Sequence, residues 1–235
     1  MNDKWDKRIG NGEGPSSTAF AGPVKNGFLF VYPSLNQRMQ LLQRLVSDGE
    51  FLTLVVGEHA SGKSMLIRNF LFHNSGQWQA CRIRMRPMVH THNRTLLKHF
   101  QNLSAFRLDN NRQYVLILDD AHHLSLEALQ LLIRGAQKSE SNLIRIGIVL
   151  LGEPQIKQMI DRLADELPPT TAVTTLSMPA LDEEQTKAYL QRRLQIHDHL
   201  EQFKFSDKQV RNIYQASAGL PGRINQEANK MLDGT

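Results

Sequence analysis

The chain of 235 residues has almost no cysteine and no long apolar run. Its single cysteine, Cys81, excludes an intramolecular disulfide, which suits the reducing cytoplasm. The longest apolar run, residues 146–151, is far shorter than the roughly 20 residues of a membrane span. The polar N-terminus also lacks the apolar core of a signal peptide. We therefore expect a soluble, cytoplasmic protein with no direct membrane span.

Acidic residues are in deficit as well. Lysine and arginine (28) outnumber aspartate and glutamate (23), which gives a formal charge of +5 and an isoelectric point near 9.4. An excess of this size permits a polyanionic partner, but it is equally typical of an ordinary solvated surface. Both interpretations stay open at this point.

The order of apolar and amphipathic segments predicts an α/β protein. Residues 1–27 are rich in glycine, proline and serine, which predicts a flexible N-terminal arm. From Phe28 onward short apolar runs alternate with amphipathic stretches, as in βα units around a parallel sheet. The predicted strands are 51–56, 80–85, 114–118, 145–151 and 172–176.

Helix signals fill the gaps between these strands and continue after them. Ser34 with Gln37 predicts a capping box for a helix to Val46, and Pro154 predicts a helix running to about Leu167. After Leu181 the strand signals stop and three helical stretches follow. We therefore expect an α/β domain over 28–181 and a small all-helical domain over 182–235.

A phosphate-binding loop follows the first strand. The sequence "GEHASGKS" fits the pattern GxxxxGK[ST] and leads directly into the helical stretch "MLIRNFLF". Glycines let the backbone N–H groups approach phosphate oxygens, and the helix N-terminus favours the same anion. Lys63 would contact the β and γ phosphates, and Ser64 would bind Mg²⁺. The predicted nucleotide contacts are Gly57, Glu58, His59, Ala60, Ser61, Gly62, Lys63, Ser64 and Met65.

Two adjacent carboxylates follow a second apolar strand, in "VLILDD". Asp119 is the expected carboxylate on the Mg²⁺ side, because P-loop enzymes bring an aspartate there on a buried central strand. Neighbouring carboxylates at a strand end repel each other unless a cation lies nearby, which favours a metal site over a surface loop. Asp120 would then be the general base for the attacking water.

The adjacent histidines His122 and His123 invite a zinc interpretation. Adjacent side chains point in different directions, however, and the only cysteine lies on another strand, whereas structural zinc usually has four ligands. A polar turn leading into the helix from Ser125 to Lys138 explains the histidines better.

These motifs together resemble the AAA+ ATPases. More narrowly, the chain is similar to the group with the secretion ATPases of the ExeA and GspA kind, the mannose-sensitive pilus ATPase and the DamX-type N-terminal ATPase domains. The narrower resemblance covers about residues 28–233. It depends on "GIVLLGEPQI", "MPALDEEQTKAYLQRRL" and "AGLPGRIN" following the two nucleotide motifs in this order.

The resemblance implies a five-stranded parallel sheet in the order 5-1-4-3-2, a helical lid, and ATP or ADP with Mg²⁺ between them. It also implies a homo-oligomeric ring or filament. Glu153 would stand at the sensor position after the fourth strand, and Arg223 would be the sensor of the lid. The implied role is an ATP-dependent switch or weak ATPase that acts on a protein partner in secretion or cell division, with recruitment to the inner membrane through that partner.

Departures from the group predict slow hydrolysis. Asp120 replaces a glutamate, and a carboxylate misplaced by about 1 Å can cost on the order of a hundredfold in rate. No arginine occurs in "PPTTAVTT", where the group has its finger; Arg162 is a displaced substitute. Gly222 occupies the usual place of the lid arginine, and Glu153 replaces a neutral glutamine.

An arginine-rich stretch leaves the partner open. Arg82, Arg84 and Arg86 alternate from the second strand onward, and Arg94 continues the bias. They would share one face, either as charges that protect an edge strand or as phosphate contacts to DNA. The alternatives to the envelope role are therefore a DNA-binding regulator of a mobile element and an ATP-binding interaction module with negligible hydrolysis.

Overall fold

A computed structural model describes residues 20, 33–48, 52–73, 78–85, 114–140, 146–164, 167, 172–195 and 203–233. Over these residues it contains five strands, seven α-helices and one short 3₁₀ helix, Ala121–His123. The strands are β1 Leu52–Val56, β2 Gln79–Arg84, β3 Tyr114–Asp119, β4 Ile146–Gly152 and β5 Val173–Ser177. The helices are α1 Pro33–Ser47, α2 Lys63–His73, α3 Leu126–Glu140, α4 Gln155–Arg162, α5 Glu183–Leu194, α6 Asp207–Ser217 and α7 Pro221–Asp233.

All five strands lie parallel in one sheet, in the order β2-β3-β4-β1-β5. This is the predicted order, and each predicted strand lies within one residue of its observed ends. Strands β3 and β4 are buried along their whole length. Parallel sheets are covered on both faces, which explains why these strands read as unbroken apolar runs.

The alternation of side chains divides the core into two layers. Val115 and Ile117 of β3 pack with α1, α2 and the lid helices on one face. Leu116 and Leu118 pack with α3 and α4 on the other. The first layer continues without a break into the helices after β5, so the lid shares a core with the sheet.

Two helices differ from their predicted limits. Helix α1 begins at Pro33, so Ser34 lies inside the helix and is not its N-cap. Proline suits the first helical position because its fixed φ is already helical and its missing N–H is not needed there. Helix α4 ends at Arg162, because the backbone tightens at Leu163, whose N–H bonds the carbonyl groups of Ile160 and Asp161.

Two lid helices begin at capping boxes. Asp182 with Gln185 forms one at the start of α5, and Ser206 with Gln209 forms the other at the start of α6. Phe20, which falls in the predicted arm, is buried on this lid. Its N–H donates to Asn229 Oδ1 at 3.1 Å, and the Arg193 guanidinium lies 5.3 Å from its ring centre. No helix in the described ranges is long and apolar enough to cross a bilayer.

The turn between α6 and α7 joins the lid to the chain after β5. Leu181 N–H donates to the Gly219 carbonyl at 2.8 Å. Gly219 has φ +69°, and a Cβ there would lie 2.0 Å from the Leu181 carbonyl oxygen. The neighbouring Ala218 is exposed and also has a positive φ, of 50°. Of these two residues, Gly219 is the one held by a close backbone contact, to Leu181.

Substitutions at these two neighbouring residues should change the free energy of unfolding in opposite directions. Gly219→Ala combines backbone strain with a collision and should lower the free energy of unfolding by more than about 2 kcal/mol. Ala218→Gly relieves left-handed strain and should raise it by about 0.5–1 kcal/mol. Urea unfolding of both variants measures this; equal effects would contradict the assigned turn geometry.

Candidate nucleotide-binding site

A cavity of about 310 Å³ lies between the loop after β1 and the lid. The loop and the start of α2 form one side, and residues of α1, α5, α7 and the segment after β5 form the other. Its lining is Leu35, His59, Ala60, Ser61, Gly62, Lys63, Ser64, Met65, Leu66, Arg84, Asp120, Met178, Leu181, Tyr189, Pro221, Gly222 and Asn225. Seven of the nine residues predicted to contact nucleotide are among them; Gly57 and Glu58 are not.

The loop backbone has the constraints of a phosphate cradle. A Cβ on Gly57 would lie 2.6 Å from Ser61 Oγ and 2.8 Å from Met178 Cβ, so only glycine fits. Gly62 has φ +95° and Ala60 has φ 65°, both in the left-handed region. Ser61 Oγ is buried and has no hydrogen-bond partner in the described part of the chain. A strained loop with an unsatisfied buried hydroxyl is suited to a polar ligand.

Lys63 is folded back onto this loop. Its Nζ donates to the carbonyl oxygens of Gly57 and Glu58, both at 2.8 Å. Burial lowers the pKa of Lys63, and the carboxylates of Glu153, Asp120, Asp119 and Glu58 partly oppose that shift. The ammonium group is therefore held by carbonyl dipoles and four nearby acids, at the first residue of α2.

The predicted metal pair is brought together. Ser64 Oγ donates to Asp119 at 2.9 Å from Oδ2 and 3.1 Å from Oδ1. Asp119 is the last residue of β3, and its side chain is fully buried. A hydroxyl and a carboxylate are hard oxygen donors of the kind that Mg²⁺ prefers, and Mg²⁺ usually binds one or two carboxylates plus substrate phosphates. The residues present therefore fit a Mg²⁺-nucleotide.

Two arginines of the edge strand β2 are already paired with the two acids. Arg82 Nη2 donates to Asp119 Oδ2, and Arg84 Nε donates to Asp120 Oδ2 at 3.0 Å. The hydrogen bond to Asp120 raises the pKa of Arg84. The adjacent aspartates are expected to need a cation nearby, and in this structure each of them has an arginine as its partner.

Sheet register places these arginines at the acids. In the parallel pairing of β2 with β3, Arg82 lies opposite Ile117 and Arg84 lies opposite Asp119. Ile117 and Asp119 are two residues apart on one strand and so share a face, and their partners share it too. That is the face on which α2 packs, and α2 carries Ser64. Neither the edge-protection nor the DNA interpretation anticipated this arrangement.

Asp120 and Glu153 both lie next to the histidine turn. Asp120 has φ 58°, precedes the 3₁₀ helix and lines the cavity. Glu153 follows β4, and its Oε1 lies 3.7 Å from His59 Nδ1 and 3.8 Å from His122 Nε2. Glu153 N–H donates to His122 Nδ1 at 3.4 Å, which assigns the ring proton to Nε2. Burial, followed by the charge of His123, lowers the pKa of His122 and favours this neutral form.

The histidines themselves belong to the turn. They occupy the 3₁₀ helix between β3 and α3, with ring centres 4.0 Å apart. Within the described ranges no group of three or more histidine, cysteine, aspartate or glutamate side chains is placed to hold a metal ion.

The lid touches the loop through a glycine. Gly222 N–H donates to the Ala60 carbonyl at 3.0 Å, and a Cβ on Gly222 would lie 2.7 Å from Ala60 Cβ. An arginine at this position would need the lid to move away, which explains the glycine. Arg223 is exposed and does not line the cavity, so its sensor role stays a prediction.

Two lid residues of the site were missed from the sequence. Tyr189 on α5 donates its hydroxyl to Asn225 Oδ1 on α7 at 2.9 Å, and both line the cavity. Burial raises the pKa of the Tyr189 phenol, so it remains a donor at neutral pH. Both lie within the segments that carry the resemblance, which is the signal that could have found them.

Other predicted cations are placed differently. Arg162 is an exposed residue at the end of α4, and Arg86 and Arg94 lie outside the described residues. Arg82 and Arg84 are paired with the site acids and are not a free basic stripe.

No protein-family model and no curated protein matches the chain. Solved structures do match at the level of fold. The Aeropyrum pernix ORC2 protein in its ADPNP-ADP complexes has a TM-score of 0.60 and 13% identity, with 92% of this chain and 66% of that chain covered. Drosophila ORC bound to DNA has a TM-score of 0.56 and 12% identity, with 96% and 66% covered.

Domain III of the Thermotoga maritima replication initiation protein DnaA has a TM-score of 0.54 and 14% identity, with 88% of this chain and 86% of that chain covered. The chain thus spans about two thirds of the length of the two ORC structures. These neighbours are AAA+ P-loop ATPases, and identities this low establish the fold alone. The chain therefore has the AAA+ ATPase fold, a parallel sheet flanked by helices and followed by a helical lid.

Proposed function

We propose that the chain binds ATP or ADP with Mg²⁺ in the cleft between the loop and the lid. The observation that carries this proposal is the convergence of a strained glycine loop, the lid and Ser64, which is bonded to Asp119, on one cavity. Backbone N–H groups at the start of α2 suit the phosphates. The apolar side chains of Leu35, Met178 and Leu181 suit the base.

Each polar residue of the loop then has a distinct task. Lys63 would leave the carbonyl oxygens of Gly57 and Glu58 and pair with a phosphate, whose negative charge would stabilise the ammonium group that burial disfavours. Ser64 and Asp119 would hold the metal, which supplies charge neutralisation at the phosphates. Asp120 would orient or deprotonate the attacking water. Glu153 and Arg223 would sense the γ phosphate from the sheet and from the lid.

We further propose that nucleotide acts mainly as a switch, with slow hydrolysis. Loop and lid residues line the same cleft and share a direct backbone hydrogen bond, from Gly222 to Ala60, so a ligand in the cleft can act on both. Asp120 is shorter than the expected glutamate, and Arg162 is exposed on α4, away from the cavity lining. A switch needs differential affinity for two lid positions more than it needs fast turnover.

The partners follow from the resemblance. We propose a homo-oligomer that acts on a protein partner in secretion or cell division, with recruitment to the inner membrane through that partner. DNA is the weaker candidate, because two of the four arginines that suggested it are paired with Asp119 and Asp120.

Lys63→Ala should abolish the stabilisation that nucleotide gives. At a concentration one hundred times the Kd, Mg²⁺-ATP should raise the free energy of unfolding of the wild type by about 2.7 kcal/mol. Lys63→Ala should lose most of this gain, whereas Lys157→Ala, which removes an exposed lysine of α4, should keep it. Thermal unfolding with and without nucleotide measures the gain, and light scattering of the same samples measures oligomerisation. A wild type that gains nothing would contradict nucleotide binding.

Asp120→Glu should accelerate ATP turnover. The added methylene extends the carboxylate toward the position of the usual glutamate, and the rate should rise by about tenfold to a hundredfold. Glutamate tolerates the left-handed backbone at φ 58° less well, so stability should fall by about 1 kcal/mol. Phosphate release and urea unfolding measure the two effects. Fast wild-type hydrolysis that Asp120→Glu leaves unchanged would refute the argument about reach.

A further inference from the structure

Arg82 holds the carboxylate that the metal would use. The side chain of Asp119 is fully buried, and its Oδ2 accepts hydrogen bonds from both Ser64 Oγ and Arg82 Nη2. A buried carboxylate is costly unless a cation or several donors compensate it. In this structure the compensating cation is a guanidinium of the protein. Its side chain is 29% exposed, so it lies at the edge of the buried site and not deep within it.

The two arginines of β2 differ in which acid they hold. Arg84 pairs with Asp120, which is partly exposed and lines the cavity. Arg82 pairs with Asp119, which is buried and bonded to Ser64 on α2. A divalent cation held by Ser64 and Asp119 would therefore have Arg82, and not Arg84, on the same carboxylate.

We propose that Arg82 is a built-in competitor of the divalent cation for Asp119 and sets the Mg²⁺ concentration that nucleotide binding requires. The inference rests on the proposed function, because it concerns the metal of that site. A guanidinium and a divalent cation on one carboxylate would repel each other, and this repulsion should be worth at least about tenfold in metal affinity. The site thus resists metal until nucleotide phosphates add negative charge.

The same contact compensates the buried charge of Asp119 within the protein. Among the described residues, removal of Arg82 leaves the buried side chain of Asp119 with the Ser64 hydroxyl as its one hydrogen-bond donor. The Arg82→Gln variant should then lose stability without metal and regain it when Mg²⁺ and nucleotide are bound. Metal and guanidinium are interchangeable in this account, which distinguishes competition from a purely structural role for Arg82.

The experiment measures ATP affinity by calorimetry over a series of free Mg²⁺ concentrations. Arg82→Gln should need at least about tenfold less Mg²⁺ than the wild type at half-maximal binding. Arg82→Lys keeps the charge and should stay within about threefold. Arg211→Gln is the matched control, because it breaks an exposed ion pair with Glu183, at 3.3 Å, on the lid. It should leave the Mg²⁺ requirement unchanged.

The results that would contradict nucleotide binding differ from those that would contradict only the role of Arg82. A wild type that binds no ATP at any Mg²⁺ concentration overturns the proposed function and this inference together. Normal wild-type binding, with an Arg82→Gln variant that needs the same or more Mg²⁺, overturns only the inference about Arg82. If Arg82→Gln does not fold without metal, it should fold in the presence of Mg²⁺-ATP. Failure there, while Arg82→Lys folds, also overturns the competition.

Discussion

The buried carboxylate of Asp119 is the interaction on which the site depends. It ends the interior strand β3, accepts a hydrogen bond from Ser64 at the start of α2, and pairs with Arg82 on the edge strand β2. The carboxylate of Asp119 therefore connects three elements, β3, α2 and β2. Because a buried charge is unfavourable without partners, the elements that provide the partners are held at the carboxyl end of the sheet. The phosphate loop lies at this same end, since it follows the parallel strand β1.

The lid is positioned by close backbone contacts that only glycine permits. Gly219 joins the turn after α6 to Leu181, and Gly222 rests on Ala60 of the loop. The apolar core of the sheet continues into α5, α6 and α7, so lid and sheet are packed as well as hydrogen-bonded. A ligand that displaces the loop would therefore strain its contact with the lid. This link is the physical basis of the proposed nucleotide switch.

Much of this arrangement could be predicted from local patterns. The apolar run before Asp119 predicted β3, the loop motif predicted the start of α2, and the resemblance predicted the strand order. The orientation of Arg82 and Arg84 could not be predicted, because it depends on the register between two strands that a long segment separates. A shift of one residue would move both arginines to the opposite face. The glycine at position 222 could likewise not be explained from the sequence, because the contact that requires it forms only when the lid packs on the loop.

Hydrogen exchange of the full chain, with and without a non-hydrolysable Mg²⁺-ATP analogue, tests the central claim most directly. Nucleotide in the cleft should slow exchange at the backbone amides of residues 58–65 and of the first turn of α7, because both contact the same ligand and each other. The amides of α3, on the opposite face of the sheet, should be unaffected. Protection confined to the loop, or absent from both segments, would contradict a site shared by the loop and the lid.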